Sequence, residues 1–368
     1  VNEKKKILYI SNIPTPYRVH FFNGVGNYYD LTVLFERSSA KDRDANWLKS
    51  NATSFHSKFM KGIKVRNDKV ISFSFFKYIF NKFDLIIIGG YSTPTGILTI
   101  FFLKLFNKKF IINADGGFIK QDKSIKEKIK RRLISSAEYW LSTGDMTTKY
   151  LVHYGANPLK IYKYSFSSID NNDFINLSTR IDDKNNNREF LNLDDRKKIL
   201  FVGQIIHRKG VDLILSIAYN LPDYDFIIVG GSPRKEDTDF INLNKITNVN
   251  FINFMDKKML TRYYRACDLF LLPTREDIWG LVINEAMANG IPVLTTNRCI
   301  AGIELLQSEF VISPHRTDSM ISMIKNILND ITYQNEIIKS NLSVVQKYTL
   351  DQMIEDHKII FDNILKEL

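Results

Sequence analysis

Residues 269–296 constrain the fold of this chain more than any other stretch. Leu269 to Leu272 is a short apolar run that breaks at Pro273. The loop from Thr274 to Trp279 carries two adjacent acids, Glu276 and Asp277. Gly280 opens an amphipathic helix, and the helix stops at Asn289-Gly290, a pair suited to a helix C-terminus. Pro292 precedes a second strand, Val293 to Thr295. Strand, loop, helix, strand is a βαβ unit, and α/β sheets bind ligands at the loops that follow such strands. The N–H groups of Gly280, Leu281 and Val282 begin the helix and lie at its positive end, which suits a phosphate. Asp277 sits in the loop and Glu285 about a turn into the helix, with seven residues between them. One ligand is within reach of both.

The rest of the chain repeats this alternation. Lys6 to Ser11, Leu31 to Phe35, Leu85 to Ile88, Lys109 to Asn113 and Tyr139 to Ser142 read as strands, interleaved with helical segments. Unbroken runs such as Leu-Ile-Ile-Ile at 85–88 mark strands buried on both faces, as in a parallel sheet. After residue 196 the pattern restarts at Ile199-Leu200-Phe201-Val202-Gly203. These signals predict two doubly wound α/β domains, residues 1–170 and 197–347, joined by an Asn- and Asp-rich linker, 171–196. A terminal helix, 348–368, has Met353, Ile354, His357, Ile359, Ile360, Ile364 and Leu365 at helical spacing. No short-period repeat is visible.

Charge is unevenly placed along the 368 residues. Residues 1–170 hold 28 Lys and Arg against 13 Asp and Glu, a net of +15, and the remainder carries −4. The basic half therefore predicts an anionic partner: a membrane surface, a lipid-phosphate acceptor or, last, nucleic acid, for which no recognition motif appears. The segment from Ser124 to Ala137 concentrates Lys126, Lys128, Lys130, Arg131 and Arg132 around Ile125, Ile129 and Leu133. Such a helix either lies on an anionic bilayer or packs its apolar stripe on the sheet. No run reaches the ~20 apolar residues that a membrane span needs. Lys4-Lys5-Lys6 followed by ILYIS reads as a first strand rather than a leader. Cys267 and Cys299 lack metal-ligand spacing and predict a reducing, cytoplasmic setting. The six histidines, His20, His56, His153, His207, His315 and His357, form no metal pattern.

A second loop, Phe201-Val202-Gly203-Gln204-Ile205-Ile206-His207-Arg208-Lys209-Gly210, joins a strand end to a helix start, again a phosphate-binding geometry. With the Trp-Gly-Leu-Val-x-x-Glu-Ala-Met-Ala-x-Gly-x-Pro-Val stretch at 279–293, it resembles the donor site of retaining glycosyltransferases of family 4. Asp277 stands where that family usually has Glu, and Gln204 where it usually has Arg.

The resemblance implies the GT-B fold: two Rossmann-like domains facing a cleft, with the last helix crossing back onto the first domain. It implies transfer of a hexosyl or N-acetylhexosaminyl group from a nucleotide-sugar, a UDP-sugar foremost, to a glycan or lipid-linked acceptor in surface polysaccharide synthesis. The protein would work in the cytoplasm or peripherally on the inner membrane face. Gly203, Lys209, Arg208 and the Gly280–Val282 amides would hold the diphosphate, Glu285 the ribose and Asp277 the sugar. No metal or other cofactor is expected, since no Asp-x-Asp pair is present. On the first domain, Asp115 ends a strand where relatives often have His-Gly, and either orients the acceptor hydroxyl or caps a turn. Asn12 and Arg18, both in the first loop, are candidates for acceptor contact. Two alternatives share this outline: a nucleotide-sugar epimerase of GT-B fold, and a non-catalytic two-lobed sugar-binding protein.

Overall fold

The computed structural model describes residues 3–37, 51–65, 69–120 and 124–368. The chain divides into two units: residues 1–167 with Leu350–Leu368, and Ser168–Thr349. Each is an α/β unit built on a parallel sheet.

The first unit has strands β1 (Lys6–Ser11), β2 (Asp30–Phe35), β3 (His56–Phe59), β6 (Leu85–Ile88), β7 (Ile111–Ala114), β8 (Tyr139–Ser142) and β9 (Ile161–Lys163), in the order β3-β2-β1-β6-β7-β8-β9. A small antiparallel pair, β4 (Ile63–Val65) and β5 (Lys69–Ile71), stands apart from it. Its helices are α1 (Pro16–Gly26), α2 (Phe76–Ile79), α3 (Pro94–Leu105), α4 (Ile125–Ile134) and α5 (Asp145–His153). The central strands are buried along their length, as their apolar runs require. Thr93 caps α3 by accepting from Gly96 N, and Pro94 takes the first turn, where a missing N–H costs nothing.

The second unit starts with α6 (Arg180–Phe190). It continues through β10 (Lys198–Val202), α7 (Val211–Asn220), β11 (Asp225–Val229), α8 (Lys235–Asn244), β12 (Val249–Ile252), α9 (Lys257–Ala266) and β13 (Leu269–Leu272). Then come α10 (Leu281–Ala288), β14 (Val293–Thr296), α11 (Ile300–Leu305), β15 (Val311–Ile312), α12 (Thr317–Asn329) and α13 (Ile331–Val345). The strand order β12-β11-β10-β13-β14-β15 reverses once, between β10 and β13, as the first sheet reverses between β1 and β6. Such a reversal opens a crevice at the carboxyl ends of the two strands.

The last helix, α14 (Leu350–Glu367), belongs to the first unit. It buries Met353, Ile354, His357, Phe361 and Ile364, and packs on α1, where Gly24 leaves room for Ile354. Tyr29 Oη donates to Asp362 at 2.7 Å and Tyr139 Oη to Glu367 at 2.8 Å. His357 lies between the rings of Phe21 and Tyr164, and burial pushes its pKa down to about 4.

The expected linker, 171–196, is corrected. It holds a short 3-10 turn at Asn171–Asp173 and the helix α6, which packs on α9 inside the second unit. Its polar composition hides the helix because α6 docks through charge. Lys184 Nζ and Arg188 Nη2 reach the buried Asp268 carboxylate at 2.5 and 2.6 Å, and Arg188 Nε donates to Ala266 O. Asp268 also accepts from the amide of Lys198 at 2.7 Å.

Losing one partner of a buried ion pair leaves charge uncompensated and typically costs about 3–5 kcal/mol. Asp268→Ala is therefore expected to destabilise the protein by about that amount, read as a lower urea midpoint with an unchanged slope.

Candidate functional site

In the second unit, the crevice between β10 and β13 is framed by the loops 203–210 and 273–280. Gly203 continues β10, and its amide bonds Val229 O. The two loops touch at backbone level. Gly210 has φ +79°, and a Cβ there would lie 2.1 Å from Pro273 O. Side chains stitch the rest. Arg275 N and Thr274 Oγ1 donate to Arg208 O at 2.8 and 3.0 Å. The exposed Arg208 returns a bond from Nη1 to Glu276 O at 2.6 Å. Arg275 grips Asp212 through both terminal nitrogens. Burial raises the Asp212 pKa, but Arg275 outweighs it and holds the carboxyl below the usual carboxylate range.

These contacts bring Lys209 and Asp277 together as an ion pair. Asp277 is the buried acid of the adjacent two. Its amide donates to Arg298 O at 2.7 Å, and its carbonyl accepts from Ile300 N at 3.2 Å. Gly280 follows with φ +97°, where a Cβ would lie 2.6 Å from Cys299 Sγ and 3.4 Å from Asp277 Oδ2. A side chain at 280 would thus push into Cys299 and abut Asp277. Burial, then the nearby Asp277, pushes the Cys299 thiol up to about 12, so it stays neutral and donates to Trp279 O at 3.1 Å. The first intrahelical bond of α10 runs from Ile283 N to Gly280 O, so the Leu281 and Val282 amides point out of the helix start.

Glu285 lies one turn along α10, half-buried. Its two oxygens accept from Ser168 Oγ at 2.9 Å and Tyr264 Oη at 3.1 Å. Burial raises its pKa, and these two donors oppose the rise. The structure therefore gathers Lys209, Asp277, Gly280 and the α10 amides at one end of the crevice, with Glu285 a turn further. Ser168, Tyr264 and Cys299 were not among the residues expected from sequence. A signal existed for Tyr264, which shares a helix face with Leu260 and Cys267, so its buried hydroxyl must find an acceptor inside. Ser168 carries no such signal.

The first unit has its own polar cluster at the carboxyl ends of β1 and β7. Arg18, from α1, pairs with Asp115, just past β7. Asp115 is therefore an ion-pair partner of Arg18, and among the described residues its Oδ1 is buried without a hydrogen-bond partner. Asn113 Nδ2 donates to Tyr9 Oη at 2.6 Å beneath this pair. Asn12 Oδ1 accepts from Arg37 Nε at 3.2 Å. Among the described residues, no three His, Cys, Asp or Glu side chains converge as a metal site.

Residues 183–342 match the family described as glycosyl transferases, group 1, which places that domain in the second unit. The processive diacylglycerol alpha-glucosyltransferase of Acholeplasma laidlawii is 24% identical over 183 residues, covering 49% of this chain and 54% of that protein. An uncharacterized 41.2 kDa protein in the cps region of Klebsiella pneumoniae is 28% identical over 229 residues, covering 59% of this chain and 61% of that protein. The chain thus spans between about half and three fifths of the length of these two curated relatives. Among solved structures, Anabaena Alr3699/HepE in complex with UDP superposes with a TM-score of 0.76 at 13% identity, covering 97% of this chain and 100% of that one. The fold is GT-B: two Rossmann-like units and a C-terminal helix packed on the first.

One further carboxyl lies at the crevice of the first unit. Glu36 directly follows β2, is buried, and accepts from Thr93 Oγ1 at 2.5 Å. Burial pushes its pKa up to about 7. A folded-state pKa raised above the unfolded value means that the folded state holds the proton more tightly. The stabilisation is complete below the unfolded pKa, about 4.5, and is lost as pH rises through about 7. Glu36→Gln is expected to flatten this loss, gaining about 1–3 kcal/mol over the parent at pH 8 and little at pH 4. Urea unfolding at both pH values measures the difference.

Proposed function

We propose that the protein is a retaining, metal-independent glycosyltransferase that moves a sugar from a nucleotide-sugar, a UDP-sugar first, to a glycan or lipid-linked acceptor of surface polysaccharide synthesis. The observation that carries this reading is the Lys209–Asp277 pair beside the α10 start, at the switch point of a unit matching group 1 glycosyl transferases.

Breaking the anomeric C–O bond gives an oxocarbenium-like sugar and a nucleoside diphosphate leaving group whose charge must be met as it grows. Lys209 and the Leu281 and Val282 amides meet it with a fixed cation and a helix dipole. Before donor binds, Lys209 and Asp277 neutralise each other. Diphosphate binding redirects the ammonium and frees the Asp277 carboxylate for sugar hydroxyls. Glu285 accepts from the ribose hydroxyls, and Ser168 and Tyr264 fix its orientation. In the first unit, Arg18 holds Asp115 while the second Asp115 oxygen takes the acceptor hydroxyl. A lipid-linked acceptor is in keeping with the diacylglycerol named for the Acholeplasma relative. With such an acceptor the protein would work at an anionic membrane surface on the cytoplasmic side. There Lys126, Lys128, Arg131 and Arg132 of α4 are exposed, with Ile125 and Ile129 exposed beside them. Lys130 is turned inward instead, to Glu127 and the Tyr154 ring.

Nucleotide release across UDP-, GDP- and ADP-sugars tests the reading, and the anomeric configuration of the product tests retention. Lys209→Ala removes a charge-assisted contact of about 1.5–3 kcal/mol, so turnover should fall at least tenfold with the fold intact. A folded Lys209→Ala protein with parental turnover would sink the assignment. Activity should also persist in EDTA, because cationic side-chain and backbone donors supply the charge. Loss in EDTA that magnesium or manganese restores would overturn metal independence.

A further inference from the structure

The first unit exposes a continuous aromatic face on α2, α3 and the segments around them. Helix α3 buries Gly96, Thr99, Ile100 and Leu103, while Phe101 and Leu105 on its other side are 57% and 62% exposed. Phe73, Phe80 and Phe106 are 56%, 53% and 42% exposed. The rings form one run: Phe73 to Phe76 at 6.4 Å, Phe76 to Phe80 at 6.2 Å, and Phe80 to Phe106 at 4.9 Å. Phe102 joins it, 4.4 Å from Phe76 and 5.3 Å from Phe101. A soluble surface rarely leaves so much contiguous apolar area to water without a use.

Charge around the face selects its occupant. Lys77, Lys82, Lys104, Lys108 and Lys109 are exposed around the rings and form no ion pair among the described residues. Residues 69–111 contain one acid, Asp84, and it is bound to Lys5 Nζ and the Lys6 amide. Aromatic side chains at the surface with exposed lysines near them in sequence match the interface of an anionic bilayer. A second copy of the chain would bring lysine against lysine. At 12 residues α3 is too short to span a bilayer, so it lies in the interface.

We propose that the α2–α3 face inserts its phenylalanines into the headgroup boundary of an anionic lipid bilayer. This rests on the membrane reading of the basic first unit, and it assigns the apolar, salt-resistant part of binding to a surface distinct from the charges of α4. Phe102 and Leu133 pack against the same core, so α3 and α4 rest on one support.

The test is co-sedimentation of the full chain with phosphatidylcholine vesicles, with and without phosphatidylglycerol, at low and high salt. The parent should bind only anionic vesicles. Phe101→Ser with Leu105→Ser should lower its partition at least about tenfold. Residual binding should vanish at high salt, while melting temperature and nucleotide release stay parental. Phe101→Trp should bind and show blue-shifted emission on anionic vesicles. If the double variant binds as the parent does while Arg131→Glu with Arg132→Glu abolishes binding, α4 alone docks the protein and this proposal is overturned. If the parent ignores anionic vesicles, the membrane reading itself fails. A parental dimer that the double variant dissolves, without vesicle binding, assigns the face to a second copy and overturns the proposal.

Discussion

Both units depend on the same small clamp. An aspartate just before the strand at the switch point takes the amide of the first residue of the neighbouring strand: Asp84 from Lys6 and Asp268 from Lys198, each at 2.7 Å. In return each aspartate amide donates to that lysine's carbonyl at 2.8 Å. The clamp sets Ile7 against Leu85 and Ile199 against Leu269. A one-residue slip would turn every side chain to the other face of the sheet. Strands of four to six residues leave little room for drift, so pinning one end of a pair also positions the loops at the other. In the second unit those loops carry Lys209 and Asp277.

The clamp also shows what the sequence contains and what it conceals. Lys6-Ile7-Leu8 and Lys198-Ile199-Leu200 match, as do Asp84-Leu85 and Asp268-Leu269, yet 192 and 184 residues separate them, too far for a short-period search to find. The buried strands were legible because two-sided burial writes an unbroken apolar run. The α10 boundaries were legible because Gly280 and Asn289-Gly290 are required by local backbone geometry. Helix α6 was not, because its docking is ionic and only Asn187 on it is buried. Helix α8 escaped for a related reason: its start is fixed by Arg234 gripping Asp237 in a segment otherwise polar.

At the candidate site, Lys209, Asp277 and Glu285 are singled out by the resemblance to family 4, which says nothing of their partners. That Lys209 pairs with Asp277 follows from Gly210 lying on Pro273 O, a contact between residues 63 apart. The partners of Glu285 come from further still: Ser168 precedes the whole second sheet. Local patterns report which face a residue takes. They are silent about which distant side chain completes its hydrogen bonds. The Arg18–Asp115 pair, between residues 97 apart, is the same case in the first unit.

Helix α14 is the piece of the first unit that arrives last. Its partners on α1 and β8 leave the ribosome early, whereas α14 follows only after all of Ser168–Thr349. At about 5–20 residues per second that interval lasts roughly 10–40 s. Until then the sites that receive Met353, Ile354 and Phe361 are open, and Tyr29 and Tyr139 lack the carboxylates they later bind. During translation the second unit can therefore close on itself first. The earlier-made unit waits in an aggregation-prone form, which is the window in which a chaperone would matter most for this protein.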